Sequence, residues 1–144
     1  MSSKTVKTVK LNEVTVGEKL PGLDIPITTT LIVAGALASR DYTPVHHDKG
    51  VAQSTGMQDV FMNILTTNGF VGRFVTDWAG PDAVLTGCSI KLGAPNFPGD
   101  TMKMSGTVKA KDEAKGVVEV EVVGSNCWGD HVTATVTVAL PTGA

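Results

Sequence analysis

The sequence predicts an α+β fold in which a curved antiparallel sheet packs on one long helix, and three observations predict it. Helical spacing of apolar residues is confined to the N-terminal half of the chain, and strict alternation to the C-terminal half. The most apolar helical stretch, 60–78, carries only two charges, Arg73 and Asp77, and so reads as buried. Four strand-like runs follow, each with one apolar and one polar face, as in a sheet with one side on a core and the other in water. The simplest packing lays the helix across the concave apolar face. With 144 residues, 42% of them hydrophobic, the chain suits a single domain over 1–144 with a core of its own.

In chain order, residues 9–14 read as a short edge strand, and 17–26, with Pro21, Gly22 and Pro26, as a loop. Thr28, Thr29 and Thr30 offer capping hydroxyls for a helix through Leu31, Ile32, Ala34, Leu37 and Ala38 that ends near Ser39-Arg40. Residues 41–48 form a loop, since Pro44 disfavours helix at Thr43. A short helix at 49–54 stops at Gly56. Asp59 is the candidate cap of helix 60–78, whose apolar positions are Val60, Phe61, Ile64, Leu65, Val71, Phe74, Val75 and Trp78. Gly69 and Gly72 each cost roughly 1 kcal/mol relative to alanine there, and close packing against the sheet is the simplest reason for them. Gly80-Pro81 ends the helix. The strand faces are Val84, Thr86, Cys88, Ile90 and Leu92; then Met102, Met104, Val108 and Ala110; then Val118, Val120 and Val122; then Val132, Ala134, Val136, Val138 and Leu140. Lys115-Gly116 and Gly129-Asp130 supply turns.

Several function classes are excluded. The net charge is −2 with no basic cluster, whereas nucleic-acid binding needs grouped Lys and Arg. The longest apolar run, Leu31 to Ala38, is too short to span a bilayer. The N-terminal Met1-Ser2-Ser3-Lys4-Thr5 runs into polar residues with no apolar stretch, so a signal peptide is not expected. Two isolated cysteines, Cys88 and Cys127, read as reduced and intracellular, which makes the cytoplasm the default location.

The stretch that carries chemistry is Arg40-Asp41-Tyr42-Thr43-Pro44-Val45-His46-His47-Asp48. Pro44 stiffens the loop and Val45 can anchor it, so Asp41 and His46 can approach each other across a rigid turn. A carboxylate and an imidazole together can hold one water, take its proton and return one, and histidine titrates near working pH. Spacing alone leaves a second use open, since Asp and His beside a turn often only cap backbone. His47 reads as a surface residue, and His46-His47-Asp48 lacks the spacing of a metal site. His131 falls on the polar face of its strand by alternation, and Cys88 on the apolar face as a core filler. Met57, Met62, Met102 and Met104 fit either an apolar pocket or plain core. Trp128 fits an interface or an ordinary surface position.

Asp41-x-Thr43-Pro44-Val45-His46, with the small Ala52 six positions later, resembles the hydratase motif of the MaoC-like family, the (R)-specific enoyl-CoA hydratases of hotdog fold. Pro95-Asn96-Phe97-Pro98-Gly99-Asp100 resembles the same family's Pro-x-x-x-Gly-Asp turn. The stretches 59–66, 75–80 and 129–136 resemble one branch, the small subunits of actinobacterial steroid side-chain hydratases. The resemblance implies a hotdog fold and an acyl-CoA thioester as substrate, with catalytic Asp41 and His46 and no cofactor or metal. It implies a larger MaoC-like partner bearing a zinc-ribbon/OB-like extension that docks a thiolase-like aldolase; a homodimer is the generic expectation for the chain alone. Thr43 stands where the family has Asn. Phe61-Met62 stand where it has His-Gly, which makes the Met62 N–H the expected oxyanion donor, with Val60 and Asn63 as rivals. Two other readings remain. A hotdog thioesterase would place its carboxylate on the central helix, where only Asp59 and Asp77 are available. A scaffold subunit would have no use for the Asp41–His46 pair.

Overall fold

The computed structural model describes residues 6–143; the polar segment 1–5, read above for a leader peptide, lies outside them. Helices precede most of the strands: β1 (Leu23–Pro26), α1 (Thr29–Ala38), α2 (Lys49–Ser54), α3 (Ile64–Ala79), β2 (Val84–Leu92), β3 (Thr101–Asp112), β4 (Val117–Asn126) and β5 (Gly129–Ala139). The strands form one antiparallel sheet in the order β1-β3-β4-β5-β2, so β1 and β2 are its edges. Helix α3 lies across the apolar face. Its Val71, Phe74 and Val75 are buried with Met102 and Val108 of β3, Val118, Val120 and Val122 of β4, and Val132, Val136 and Val138 of β5.

The edge strand is at 23–26 and not at 9–14. Leu11 and Val14 are both buried, three residues apart, because Leu11–Glu13 is a single 3-10 turn; the Lys10 N–H donates to Glu13 Oε2 at 2.9 Å. Pro26 sits within β1, where an edge position tolerates its missing N–H.

Helix α3 begins four residues later than the apolar spacing predicts. Asp59 spends its carboxylate on the Val60 N–H (2.8 Å) and on Lys49 Nζ (2.9 Å). Residues 60–62 then lie outside any helix or strand, with the Met62 N–H donating to the Asn96 carbonyl at 3.1 Å. The cap is Asn63, whose Oδ1 accepts from the Thr66 N–H at 3.1 Å. This shift leaves Ile64 and Leu65 exposed rather than in the core. Close packing does not explain the helix glycines: a Cβ on Gly69 would meet open space, and one on Gly72 only an ordinary contact with Leu85. The glycine that admits the helix is in the sheet, where a Cβ on Gly106 would stand 2.7 Å from Phe74 Cε1.

Period-two reading fails where the sheet bulges. In β2 the register shifts between Leu85 and Gly87, which moves Val84 and Thr86 off the face of Cys88, Ile90 and Leu92. In β3 it shifts between Val108 and Ala110, so Ala110 pairs with Glu119 and is exposed. In β5, Asp130 pairs with Ser125 and Val132 with Gly124, leaving His131 as the extra residue. A bulge turns its extra residue against the alternation, and His131 is buried, not on the wet face. Cys88 faces the apolar side yet is exposed, as is Cys127; β2 is an edge strand whose residues are mostly exposed on both faces.

Candidate active site

The termination of α1 aims the first functional residue. Arg40 adopts φ +57, the Arg40 N–H donates to the Leu37 carbonyl (3.0 Å), and the Asp41 N–H donates to the Ala36 carbonyl (2.9 Å). This is a Schellman ending with arginine where glycine is usual. It turns the chain sharply off the helix at Asp41. Asp41 Oδ1 then accepts from the Thr43 N–H (3.2 Å) and the Thr43 hydroxyl (2.7 Å), so Thr43 pins the loop as an Asx-turn. Pro44–His46 form one 3-10 turn, and Asp48 closes the loop by capping α2 at the Val51 N–H.

These devices bring Asp41 and His46 together. Asp41 Oδ2 lies 3.3 Å from His46 Nε2, and the two side chains are only 22% and 9% exposed. His46 Nδ1 lies 2.6 Å from the Phe61 carbonyl. A carbonyl only accepts, so Nδ1 carries the proton, and in the neutral ring Nε2 presents a lone pair to the carboxylate. Phe61 also meets the imidazole edge-on at 4.9 Å. Asn63 Nδ2 donates to Asp41 Oδ2 at 3.0 Å. The Thr43 hydroxyl foremost, then the Asn63 amide and the Thr43 N–H, hold the Asp41 carboxyl down at about 2; partial burial opposes them and His46 adds to them.

The pair opens into a cavity of about 360 Å³. Asp41 and His46 line it together with Met57, Phe61, Met62, Asn63 and Ile64, before and at the start of α3, and with Leu92–Pro95 and His131. Met57 and Met62 thus line the cavity, whereas Met102 and Met104 are core. A wider depression of about 480 Å³ lies among Ser89, Lys91, Glu121 and Thr135, on the sheet and away from the pair.

Two of the three proposed oxyanion donors are already engaged: the Val60 N–H by Asp59 and the Met62 N–H by Asn96. The Met62 expectation is therefore corrected, because the segment ahead of the helix pairs that N–H with the Asn96 carbonyl. Among the described residues, the N–H groups of Asn63 and Ile64 meet no acceptor. Both residues line the cavity, at the positive end of a helix of 16 residues. Asn63, singled out for its N–H, contributes a side chain as well, which spacing gave no reason to connect to Asp41. His131 also belongs to the cavity; the bulge that places it there has no period-two signature. His47 is exposed, and among the described residues no three His, Cys, Asp or Glu side chains are grouped to hold a metal ion. Trp128 is largely exposed, its ring edge-on to Phe97.

Comparison with known proteins agrees with this geometry. The MaoC like domain family matches residues 11–126. The 3-oxo-4,17-pregnadiene-20-carboxyl-CoA hydratase beta subunit of Mycobacterium tuberculosis is 47% identical over 125 residues, covering 87% of this chain and 95% of that protein. The crystal structure of the ChsH1-ChsH2 complex from Mycobacterium tuberculosis superimposes with a TM-score of 0.85 at 47% identity, covering 88% of this chain and 98% of that one. The (R)-hydratase from A. caviae involved in PHA biosynthesis gives 0.79 at 25% identity, over 89% of this chain and 98% of its own. With the family match spanning most of the chain and the sheet wrapped on α3 as in these structures, the chain belongs to the MaoC-like domain family.

Proposed function

We propose that the chain is the catalytic subunit of an enoyl-CoA hydratase that adds water across the α,β-double bond of a CoA thioester, with a steroid side-chain enoyl-CoA as substrate. The observation that carries this reading is the approach of Asp41 Oδ2 to His46 Nε2, 3.3 Å apart in the lining of one cavity. A water between them can give one hydrogen bond to each, which leaves its oxygen lone pairs facing the cavity. The water oxygen attacks the β-carbon while Asp41 takes its proton. The π electrons move onto the thioester oxygen as an enolate, and the α-carbon recovers a proton relayed through His46, so that one water is added in all. The Asn63 and Ile64 N–H groups at the start of α3 stabilise the enolate oxygen, each such donor being worth roughly 3 kcal/mol in comparable sites. A carboxyl held at about 2 is a weak base in the open site. Entry of an apolar acyl group strips water from Asp41 and raises its basicity when it is needed. Conjugation with the thioester activates the β-carbon, so the scheme calls for no metal or cofactor.

The substrate class rests on the relative's name and on cavity size. A volume of about 360 Å³ is near the low end of the roughly 300–1,000 Å³ usual for ligand sites, and a four-ring acyl group with its CoA needs more room. Ile64 and Leu92 line the cavity and are exposed at 49% and 39%, and Val84 and Leu85, at the other end of the β2 edge strand, are exposed as well. An open edge of this kind suits a second subunit. The partner we infer is a larger MaoC-like subunit bearing a zinc-ribbon/OB-like domain that docks a thiolase-like aldolase. The two free cysteines fit a reducing, cytoplasmic setting, and no described helix is long and apolar enough to cross a membrane.

No observation favours a thioesterase. Asp59 precedes α3 and pairs with Lys49, and Asp77 pairs with Arg73 on the exposed side, so neither lines the cavity. The test is loss of enoyl absorbance with a steroid side-chain enoyl-CoA and with a short straight-chain enoyl-CoA. The chain is assayed alone and with the larger subunit. Hydration of the steroid substrate by the pair of subunits is expected; hydration of the short substrate only would contradict the substrate class.

A further inference from the structure

His131 is a buried imidazole on the cavity wall that the hydration scheme leaves unused. The β5 bulge turns it inward, and its two nitrogens then engage two different elements. Nδ1 lies 2.6 Å from the Ala94 carbonyl and must donate to it, so in the neutral ring Nε2 accepts from the Thr67 hydroxyl at 2.8 Å. The main chain of the bulge holds the same wall. The Gly93 N–H donates to the His131 carbonyl and the Ala94 N–H to the Asp130 carbonyl, both at 2.8 Å. A Cβ on Gly93 would collide with the Asp130 carbonyl, so the wall lies flat on the bulge. On the other side, Thr67 belongs to the first turn of α3 and donates its N–H to the Asn63 carbonyl at 3.2 Å. One imidazole therefore joins the Gly93–Pro95 wall to the helix turn that carries the free Asn63 and Ile64 N–H groups. Asp41 and His46 make no hydrogen bond to His131 themselves; they are held by Thr43, the Asn63 side chain and the Phe61 carbonyl.

We propose that His131 is a positioning residue: it sets the separation between the Gly93–Pro95 wall and the N-terminal turn of α3, and so fixes where the acyl thioester lies relative to Asp41 and His46. A plain core filler would need volume alone and not two directed hydrogen bonds. The inference rests on the hydratase reading for its kinetic readout.

The experiment compares His131→Phe, which keeps a ring but loses both bonds, with His131→Asn, whose amide N–H can still reach Ala94, and with Thr67→Val, which keeps the imidazole. In the full chain with its partner subunit, KM for the enoyl-CoA is expected to rise about tenfold or more in the Phe variant while kcat falls much less. The Asn variant recovers most of that loss, and the Val variant shifts KM in the same direction even if the Phe variant does not fold. A wild-type KM in the Val variant, or in a Phe variant that only melts earlier, would overturn the proposal. If the wild type itself hydrates nothing, the hydratase reading fails. The same variants are then compared by Kd for a saturated acyl-CoA, where about tenfold weakening supports the positioning role and an unchanged Kd overturns it.

Discussion

Asn63 and Asp41 are joined by a 3.0 Å hydrogen bond from Nδ2 to Oδ2, while Oδ1 of the same asparagine accepts the Thr66 N–H at 3.1 Å. A single side chain therefore starts the long helix and holds the carboxylate, which ties the position of Asp41 to that of the helix N–H groups. Ser39 Oγ takes the second hydrogen of the amide at 2.9 Å, so the Asn63 orientation is fixed from the end of α1 as well.

The two duties of Asn63 can be separated. Asn63→Ala loses the cap and is expected to cost about 1 kcal/mol of stability. Asn63→Ser keeps a good capping oxygen but is too short to reach Asp41, so its urea midpoint stays near wild type. Both variants are expected to lose kcat/KM by about tenfold. Initial rates set against urea midpoints check this; full activity in Asn63→Ser would show that the Asp41 contact is idle.

Thr43→Val removes the foremost of the donors that hold Asp41 down at about 2. That value lies below the ordinary carboxylate value of about 3.9. The stabilisation is therefore fully present above about pH 4 and is lost as pH falls toward 2. In Thr43→Val the Asp41 pKa moves up, and the stability gap to wild type is widest above pH 4 and narrows below it. Titration of the Asp41 carboxyl carbon by NMR, with urea melts across that range, reads both effects.

Burial pushes the His131 imidazole below its usual range, the Ala94 carbonyl opposing. The unfolded chain then binds more protons than the folded one, so this group's contribution is fully present above about pH 6.5 and is lost as pH falls. Thr67 and Ala94, which face the two nitrogens, carry no charge to offset it. The difference in stability between pH 8 and pH 5 is expected to shrink in His131→Asn. Urea denaturation at the two pH values checks it.

Gly106→Ala is expected to cost about 1–3 kcal/mol, because the added methyl meets the Phe74 ring. Phe74→Leu in the same chain should return part of that cost, a coupling that a double-mutant cycle measures. Additive losses would place the strain elsewhere.

Much of this was legible in the sequence, for physical reasons that also mark where legibility stopped. Thr28 caps α1 as its hydroxyl suggests, with Oγ1 accepting from the Leu31 N–H at 3.0 Å. Val118, Val120 and Val122 of β4 are buried and alternate with the exposed Glu119 and Glu121, as their spacing suggests. The Asp41–His46 loop could be read because Pro44 and Thr43 determine it locally. Three misread faces, at Thr86, Ala110 and His131, coincide with the three β-bulges, where one extra residue reverses the alternation and no local residue type announces it. The start of α3 was misplaced because Val60 and Met62 are buried from a segment that precedes the helix, and apolar spacing does not distinguish that from a helical turn. The Met62 N–H was misassigned for the same reason: its partner, Asn96, is 34 residues away and enters only with the tertiary fold.

The central claim is that Asp41 and His46 add water to an enoyl thioester. The most direct test is to incubate the chain and its partner subunit with the enoyl-CoA in ¹⁸O-labelled water and to weigh the product, beside folded Asp41→Asn and His46→Ala variants. The account predicts a hydroxyacyl-CoA with one label on the β-carbon from the wild type and a rate lower by about a hundredfold or more in either variant. Free CoA with a labelled carboxylate, or undiminished hydration by either variant, would contradict it.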